Sequence, residues 1–183
     1  ADPDGDPDTT DDVPDVCHNS WGIFAGNGYL PCDSVWWEVI DNCEAAGVVV
    51  TFSAGNEGPA PGTLRNPGNR ATSPTNCFTI GSTSYNTPYM VSTFSSRGPS
   101  QCGGEFEIKP EVMAPGESIY SDFPGGSYVM MDGTSMAGPH VAGVIALMRQ
   151  AAPNLDATTI KEILLETAID LGDPGEDNNY GHG

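Results

Sequence analysis

Basic side chains are scarce in this sequence of 183 residues. Six Lys and Arg residues stand against 25 Asp and Glu residues, which gives a formal net charge of −19. A surface this acidic repels nucleic-acid phosphates and anionic lipid headgroups, so we expect no nucleic acid and no membrane as a partner. Long apolar runs are missing as well: the sequence has no stretch of about 18 apolar residues, the length that a membrane-spanning helix needs.

Histidine is also scarce, and the cysteines are odd in number. The histidines are His18, His140 and His182, and the cysteines are Cys17, Cys32, Cys43, Cys77 and Cys102. No Cys-x-x-Cys pair or zinc-type histidine spacing occurs, so we predict no metal site. Cys17 and Cys43 fall in a predicted strand and helix and are expected to be buried. The other three lie in or near loops and could pair, which leaves at least one thiol unpaired within the chain.

Glycine and proline are abundant, with 23 and 16 residues, as is typical of a loop-rich α/β protein. Residues 1–13 are polar and acidic and are predicted to form a surface loop. The alternation of Asp2, Asp4, Asp6 and Asp8 hints at calcium. An EF-hand loop would need a glycine at its sixth position, and none stands there counted from Asp2 or from Asp4. A solvated loop is the default interpretation; we expect no cofactor, and calcium stays open.

The most informative motif is Gly-Thr-Ser-Met-Ala-Gly-Pro-His at residues 133–140, which an apolar helical run follows directly. A hydroxyl nucleophile needs an exposed position, unhindered backbone and N–H groups that receive negative charge. Ser135 meets these needs, because Gly133 allows close approach and the starting helix points unpaired N–H groups at the hydroxyl. Pro139 fits a first helical turn, where a missing N–H loses no partner. The plain alternative is an ordinary helix capped by Thr or Ser.

A second motif follows a predicted buried strand. Residues 48–58 read Val-Val-Val-Thr-Phe-Ser-Ala-Gly-Asn-Glu-Gly, in which a β-branched run ends in a glycine-flanked asparagine. Such a run is typical of a strand that is buried on both faces of a parallel sheet. Beside a serine nucleophile, Asn56 at the carboxyl end of this strand could donate its side-chain N–H to an oxyanion.

Strands and helices alternate along the rest of the chain. Helices are predicted at residues 33–46, 135–151 and 156–168. Besides the strand before Asn56, strands are predicted at residues 14–19, 77–81, 90–94, 112–114, 118–120 and 127–131. This alternation predicts an α/β fold with three layers and a mainly parallel sheet.

Four blocks in this order resemble the subtilisin-like serine proteases (subtilases), with spacing most similar to the bacillopeptidase F-type branch. Two of them are residues 48–58 and 133–140. The others are Phe-Ser-Ser-Arg-Gly-Pro at residues 94–99 and Lys-Pro-Glu-Val-Met-Ala-Pro-Gly at residues 109–116. The resemblance runs from about residue 14 to residue 183 and implies the subtilisin-like fold.

The resemblance also implies a secreted or cell-envelope endopeptidase that acts on polypeptide substrates. In that scheme Ser135 is the nucleophile, and the Asn56 amide with the Ser135 backbone N–H holds the oxyanion. The implied substrate-binding residues are Ser20, Trp21, Gly22, Ser53, Ala54, Gly55 and Asn69. The first three would pair with the substrate backbone as an edge strand, and Asn69 would lie near the floor of the pocket for the residue before the scissile bond. Plain core packing is the alternative for Trp21.

The family's catalytic triad also needs an Asp and a His, in an Asp-Ser/Thr-Gly block and a His-Gly-Thr-His block upstream of Asn56. Neither block is present. His140 follows Ser135 on the same helix and is predicted to point away from it, and His18 is interpreted as an ordinary strand residue. Residues 14–183 are therefore predicted to be the C-terminal portion of a peptidase domain, before its last strand and helix. Its partner would be the N-terminal part of that domain, and the chain alone is predicted to be inactive.

Two other functions stay open. The residues around Ser135 are close to the Gly-x-Ser-x-Gly elbow of α/β-hydrolase esterases, and Asp173 and His182 follow in esterase order. Too little chain follows Ser135 to form the later strands of that fold, and Asn56 would have no role in it. The second alternative is a protease relic that binds peptides through residues 20–22 without catalysis.

Overall fold

The computed structural model describes residues 12–23, 28–102 and 104–183. The predicted acidic loop of residues 1–13 falls almost entirely outside these ranges. Asp2, Asp4, Asp6 and Asp8 lie outside them too, so the loop stays a prediction and the question of calcium stays open.

Four parallel strands form the central sheet. In chain order they are β1 Val16–Asn19, β2 Val49–Ser53, β3 Phe78–Thr83 and β4 Val112–Pro115, and they lie side by side in that order. Every residue of β2 and β3 is buried, as expected for strands that are covered on both faces. Parallel strands end at the same edge of a sheet, so the segments that follow β1 and β2 lie next to each other.

Helices cover both faces of this sheet. They are α1 Trp37–Ala45, α2 Thr134–Ala151 and α3 Ala157–Thr167. Alternate residues of β2 face opposite layers: Val49 packs in one cluster with Ile145 and Ile160, and Val50 packs in another with Ile40. The predicted three-layer α/β fold with a parallel sheet is confirmed. None of the described helices is long and apolar enough to cross a membrane.

A β-hairpin precedes α2. Its strands, β5 Ile119–Phe123 and β6 Ser127–Met131, pair with each other in an antiparallel sheet separate from the main one. Gly125 and Gly126 form the turn with φ values of +90° and +74°, which glycine adopts without steric cost. The hairpin leads directly into the turn that presents Ser135.

Two predicted elements differ from the structure. The strand predicted at residues 90–94 is wrong, because Val91 forms only an isolated bridge with Thr83, and a turn follows in which the Ser95 N–H bonds to Ser92. Helix α1 begins later than predicted, since the residues before it form a turn in which the Asp33 carboxylate accepts the Val35 N–H.

Two of the five cysteines differ from the prediction in their burial. Cys32 and Cys102 form a disulfide with their Cα atoms 5.3 Å apart. Cys77 is buried with a free thiol, whereas Cys17 and Cys43 are exposed, which corrects the prediction that they are buried. Cys17 lies on β1, an edge strand of the sheet, and there the face of the strand away from α2 stays accessible.

Candidate active site

Ser135 lies in the first turn of helix α2, and its side chain is partly exposed. Gly133, just before the helix, has a φ of +153°, which favours glycine. The first N–H groups of a helix have no carbonyl partner within it, and the helix dipole adds positive potential at this end. The Ser135 hydroxyl and its own backbone N–H therefore lie where negative charge is stabilised.

Pro139 has a different effect from the predicted one. Helix α2 begins at Thr134, so Pro139 lies inside the helix rather than in its first turn. A residue at that position would donate its N–H to the Ser135 carbonyl four residues earlier, and proline has no N–H. The Ser20 hydroxyl donates to the Ser135 carbonyl instead, at 3.3 Å. The carbonyl that Pro139 leaves without a helical donor thus connects the segment after β1 to the nucleophile residue.

Asn56 and Thr134 are joined by two hydrogen bonds. The Asn56 side-chain oxygen accepts from the Thr134 backbone N–H at 3.0 Å and from its hydroxyl at 2.9 Å. Because the oxygen is held there, the amide nitrogen lies on the other side, 3.5 Å from the point that a Cβ on Gly133 would occupy. This orientation suits a donor to an oxyanion at Ser135, the role that stays a prediction for Asn56.

Thr134 also binds the end of strand β2. Its hydroxyl accepts the Gly55 N–H at 3.2 Å, and its carbonyl accepts the Ser53 hydroxyl at 3.0 Å. The side chain is buried, with 1% of its surface exposed, so it exchanges these bonds little with water. Sequence analysis missed Thr134, although its position beside Ser135 was a signal that its hydroxyl lies close to the site.

His18 lies beneath the start of α2. A Cβ on Gly138 would lie 1.9 Å from the His18 ring, so the helix packs directly on the imidazole. The ring nitrogens lie 2.9 Å from the Thr51 hydroxyl and 3.1 Å from the Ser53 hydroxyl. Ser53 gives its one proton to the Thr134 carbonyl, so it must accept from His18 Nε2–H. Burial lowers the pKa of His18 to about 4, and the ring is neutral at pH 7.

A small cleft lies beside Ser135, with a volume of about 80 Å³. Six of the predicted substrate-binding and oxyanion residues line it together with the nucleophile. They are Ser20, Trp21, Gly22, Ser53, Gly55 and Asn56. Three residues that sequence analysis did not single out complete the lining: Glu57, Arg65 and Thr134.

Two predicted substrate-binding residues are placed elsewhere. The Ala54 side chain is 1% exposed, and its backbone N–H bonds to the Ile80 carbonyl of β3 at 3.0 Å. Asn69 is also buried and does not line the cleft; its side-chain amide donates to the Pro31 carbonyl at 2.5 Å. Arg65, four residues earlier on the same loop, reaches the cleft instead.

None of the three histidines, all of which lie in the described ranges, hydrogen-bonds to Ser135. His18 Nε2 is bound to Ser53. His140 Nδ1 lies 2.9 Å from the Met136 carbonyl, and its ring lines an apolar groove that does not include Ser135. His182 lies 3.5 Å from the carboxylate of Glu176. These contacts agree with the prediction that His140 points away, and they leave Ser135 without a histidine partner among the described residues.

No group of three or more His, Cys, Asp or Glu residues is arranged to hold a metal ion within residues 12–23, 28–102 and 104–183. Whether residues 1–13 bind calcium is untested and stays open.

The chain is similar to known proteases over most of its length. Residues 7–183 match the Subtilase family. Bacillopeptidase F of Bacillus subtilis (strain 168) is 41% identical over 180 residues, which cover 93% of this chain and 12% of that protein. Subtilisin DY of Bacillus licheniformis is 37% identical over 159 residues, which cover 87% of this chain and 51% of that protein.

Solved structures show the same relationship. The structure titled S41 Psychrophilic Protease superposes with a TM-score of 0.77 at 29% identity, covering 92% of this chain and 55% of that one. Sphericase superposes with a TM-score of 0.73 at 28% identity, with the same two coverages. The chain therefore spans about half the length of these structures.

The fold and the matches decide between the candidate families. The parallel sheet β1 to β4, with helices on both faces, superposes on subtilisin-like proteases, so the α/β-hydrolase alternative is wrong. The resemblance to the bacillopeptidase F-type branch is confirmed by the 41% identity. With a family match over residues 7–183 that includes both the Asn56 and the Ser135 motifs, the chain belongs to the subtilase family of serine proteases.

Proposed function

We propose that this chain is the nucleophile-bearing portion of a serine endopeptidase that hydrolyses polypeptides through an acyl-enzyme on Ser135. The observation that carries the proposal is the pair of hydrogen bonds between Thr134 and the Asn56 side-chain oxygen. They turn the Asn56 amide nitrogen toward the cleft beside the nucleophile. A binding surface without chemistry would not need a donor directed at that point.

The proposed reaction uses groups that the structure brings together. The Ser135 hydroxyl oxygen attacks the scissile carbonyl carbon, and the carbonyl oxygen takes the negative charge. The Ser135 backbone N–H and Asn56 Nδ2 donate to this oxygen. The tetrahedral intermediate then expels the amine, which takes up the proton that the base removed from Ser135, and water hydrolyses the acyl-enzyme in the second half of the reaction. The substrate backbone lies between residues 20–22 and the end of strand β2, where Ser53 and Gly55 line the cleft.

The general base and its orienting carboxylate come from outside these 183 residues in this proposal. A serine hydroxyl is a weak nucleophile until a base removes its proton. His18, His140 and His182 are all bound elsewhere. The partner of this chain is therefore the N-terminal part of the same catalytic domain, which supplies an Asp and a His next to Ser135.

A fluorophosphonate probe, which reacts with activated serines, tests this proposal. The 183-residue chain alone should show almost no labelling and no peptidase activity. Adding the N-terminal part of the domain, fused or as a separate fragment, should restore both, and Ser135→Ala should abolish the labelling. Rapid labelling of the isolated chain at Ser135 would mean that it contains a base. Failure of the reassembled domain to label would instead favour a peptide-binding relic.

We also propose that the protein acts outside the cell or in the cell envelope. The Cys32–Cys102 disulfide supports this, because such bonds persist in oxidising compartments and are rare in the cytosol. Fractionation of the producing cells should find the protein in the medium or the envelope, with the disulfide formed.

A further inference from the structure

An ion pair lies inside the cleft beside Ser135. Arg65 Nε donates to Glu57 Oε2 at 2.7 Å, and a second guanidinium nitrogen binds Glu57 Oε1. The same carboxylate accepts the Asn56 backbone N–H at 3.1 Å and the Ser96 hydroxyl at 3.3 Å. With four donors around it, the carboxylate is fixed, and it fixes the guanidinium in turn.

The stem of Arg65 fills the space between the two cleft walls. A Cβ on Gly22 would lie 2.6 Å from Arg65 Cβ, and a Cβ on Gly55 would lie 3.4 Å from Arg65 Cγ. At residue 22 only glycine leaves room for this side chain, whereas a Cβ on Gly55 would lie 2.7 Å from Glu57 Oε2, the carboxylate that holds Arg65. The next residue, Asn66, pairs with Ile23 through two backbone hydrogen bonds of 2.8 and 3.1 Å, which locks the Arg65 backbone against the segment after β1.

The remaining space is small. The cleft holds about 80 Å³, whereas a cavity that binds benzene measures about 150 Å³. A phenyl or indole side chain therefore does not fit while Arg65 is in place. The Arg65 charge is neutralised by Glu57, so the closed cleft also offers no strong attraction to a charged side chain.

We propose that the Arg65–Glu57 pair restricts the residue on the acyl side of the scissile bond to small side chains such as Gly, Ala and Ser. This inference rests on the proposed peptidase function, because it concerns the group next to the carbonyl that Ser135 attacks. Arg65 acts as a specificity determinant through its bulk, and Glu57 holds its side chain in the cleft.

Matched peptides that differ only in the residue before the scissile bond test the proposal in the full-length protein. The peptides carry Ala, Phe, Lys or Glu at that place. The kcat/KM for the Ala peptide should be higher than that for the Phe peptide by about 10–200-fold. Arg65→Ala should reduce the Ala-to-Phe ratio by about tenfold or more, because the cleft opens. Ratios measured within one preparation do not depend on the fraction of correctly folded enzyme.

Further variants separate bulk from charge. Arg65→Met keeps most of the volume and should keep the Ala-to-Phe ratio. Arg65→Ala leaves Glu57 without its cation, so it should also raise kcat/KM for the Lys peptide. The double variant Glu57→Gln/Arg65→Ala should lose this gain, because the carboxylate is gone. It should still accept the Phe peptide. Arg70→Ala is the control, because Arg70 pairs with Asp41 and does not line the cleft; it should leave the ratios unchanged.

Three results would overturn the inference while leaving the peptidase function intact. They are equal rates for Ala and Phe in the unmodified protein, an unchanged ratio in Arg65→Ala, and fastest cleavage after Glu, which would mean that Arg65 recognises acidic side chains. If the unmodified protein hydrolyses none of the peptides, the proposed function fails and the inference fails with it.

Discussion

The side-chain oxygen of Asn56 accepts both the backbone N–H and the hydroxyl of Thr134, at 3.0 and 2.9 Å. An amide held by its oxygen has only one direction left for its nitrogen. The direction of the proposed oxyanion donor is therefore set by Thr134, the residue next to the nucleophile.

Replacing Asn56 with alanine should remove one oxyanion donor. In the full-length protein, Asn56→Ala should lower kcat by about 10²–10³-fold, the effect of removing the corresponding donor in subtilisin. KM should change little, because the bond forms in the transition state rather than with the substrate. Steady-state kinetics on one peptide measures both constants, and a loss below about tenfold would remove Asn56 from the mechanism.

Replacing Thr134 with valine keeps its shape and removes its hydroxyl. Asn56 Oδ1 then loses one of its two bonds, and the Gly55 N–H loses its acceptor. Thr134→Val should lower the free energy of unfolding by about 1–3 kcal/mol, because buried polar groups stay unpaired. It should also lower kcat more than KM changes. Thr134→Ser keeps the hydroxyl and is the control; equal urea midpoints and kcat values for the two variants would show that the hydroxyl orients nothing.

The stability of the chain should depend on pH through His18. Its folded pKa is lowered from 6.5 to about 4 by burial, so the unfolded chain binds a proton between these values and the folded chain does not. The free energy of unfolding should fall as the pH drops from about 6.5 to about 4, by up to about 3 kcal/mol, and this contribution should be complete above about pH 6.5.

His18→Gln provides the comparison for that pH dependence. Glutamine places an N–H near the position of His18 Nε2, so it can still donate to the Ser53 hydroxyl, but it does not titrate. Urea unfolding of both proteins at several pH values from 4 to 7 should show a flatter profile for the variant. Parallel profiles would mean that His18 is not the titrating group.

Met136 should make the active enzyme sensitive to oxidation. A Cβ on Gly133 would lie 3.6 Å from the Met136 sulfur and 3.5 Å from the Asn56 amide nitrogen, so the two atoms lie near the same place. A sulfoxide oxygen there would be polar and bulky next to the proposed oxyanion. Peroxide should inactivate the full-length protein, and Met136→Ala should resist. Equal rates of inactivation for the two proteins would contradict this placement of the sulfur.

Contiguous motifs made part of the site predictable. Asn56 directly follows Gly55, Ser135 lies two residues after Gly133, and the apolar run before Asn56 identifies its strand. The alternation of strands and helices predicted the layers of the fold, and the continuous apolar run before Asn56 indicated a strand that is covered on both faces. The strand predicted at residues 90–94 failed because composition does not report the turn at Ser95.

Arg65 and His18 were not predictable in the same way. Arg65 lies in an irregular loop rich in glycine and proline, and its place in the cleft depends on the backbone pairing of Ile23 with Asn66. His18 sits in a strand pattern that indicates which face a side chain occupies but not which helix packs on it. Contacts between segments far apart in sequence decide both positions, and a single sequence carries no local signal for them.

Gly138 of helix α2 packs directly against the His18 ring of strand β1, with no space between them for a side chain on residue 138. A methyl group on residue 138 would overlap the imidazole, with its carbon 1.9 Å from Cε1 and 2.0 Å from Nε2. Gly138→Ala alone should displace helix α2 from strand β1 and strain the hydrogen bonds between Thr134 and Asn56. The same substitution becomes acceptable when residue 18 is smaller than histidine. The two positions are therefore expected to covary among relatives, and a library designed on this scaffold should randomise them as a pair.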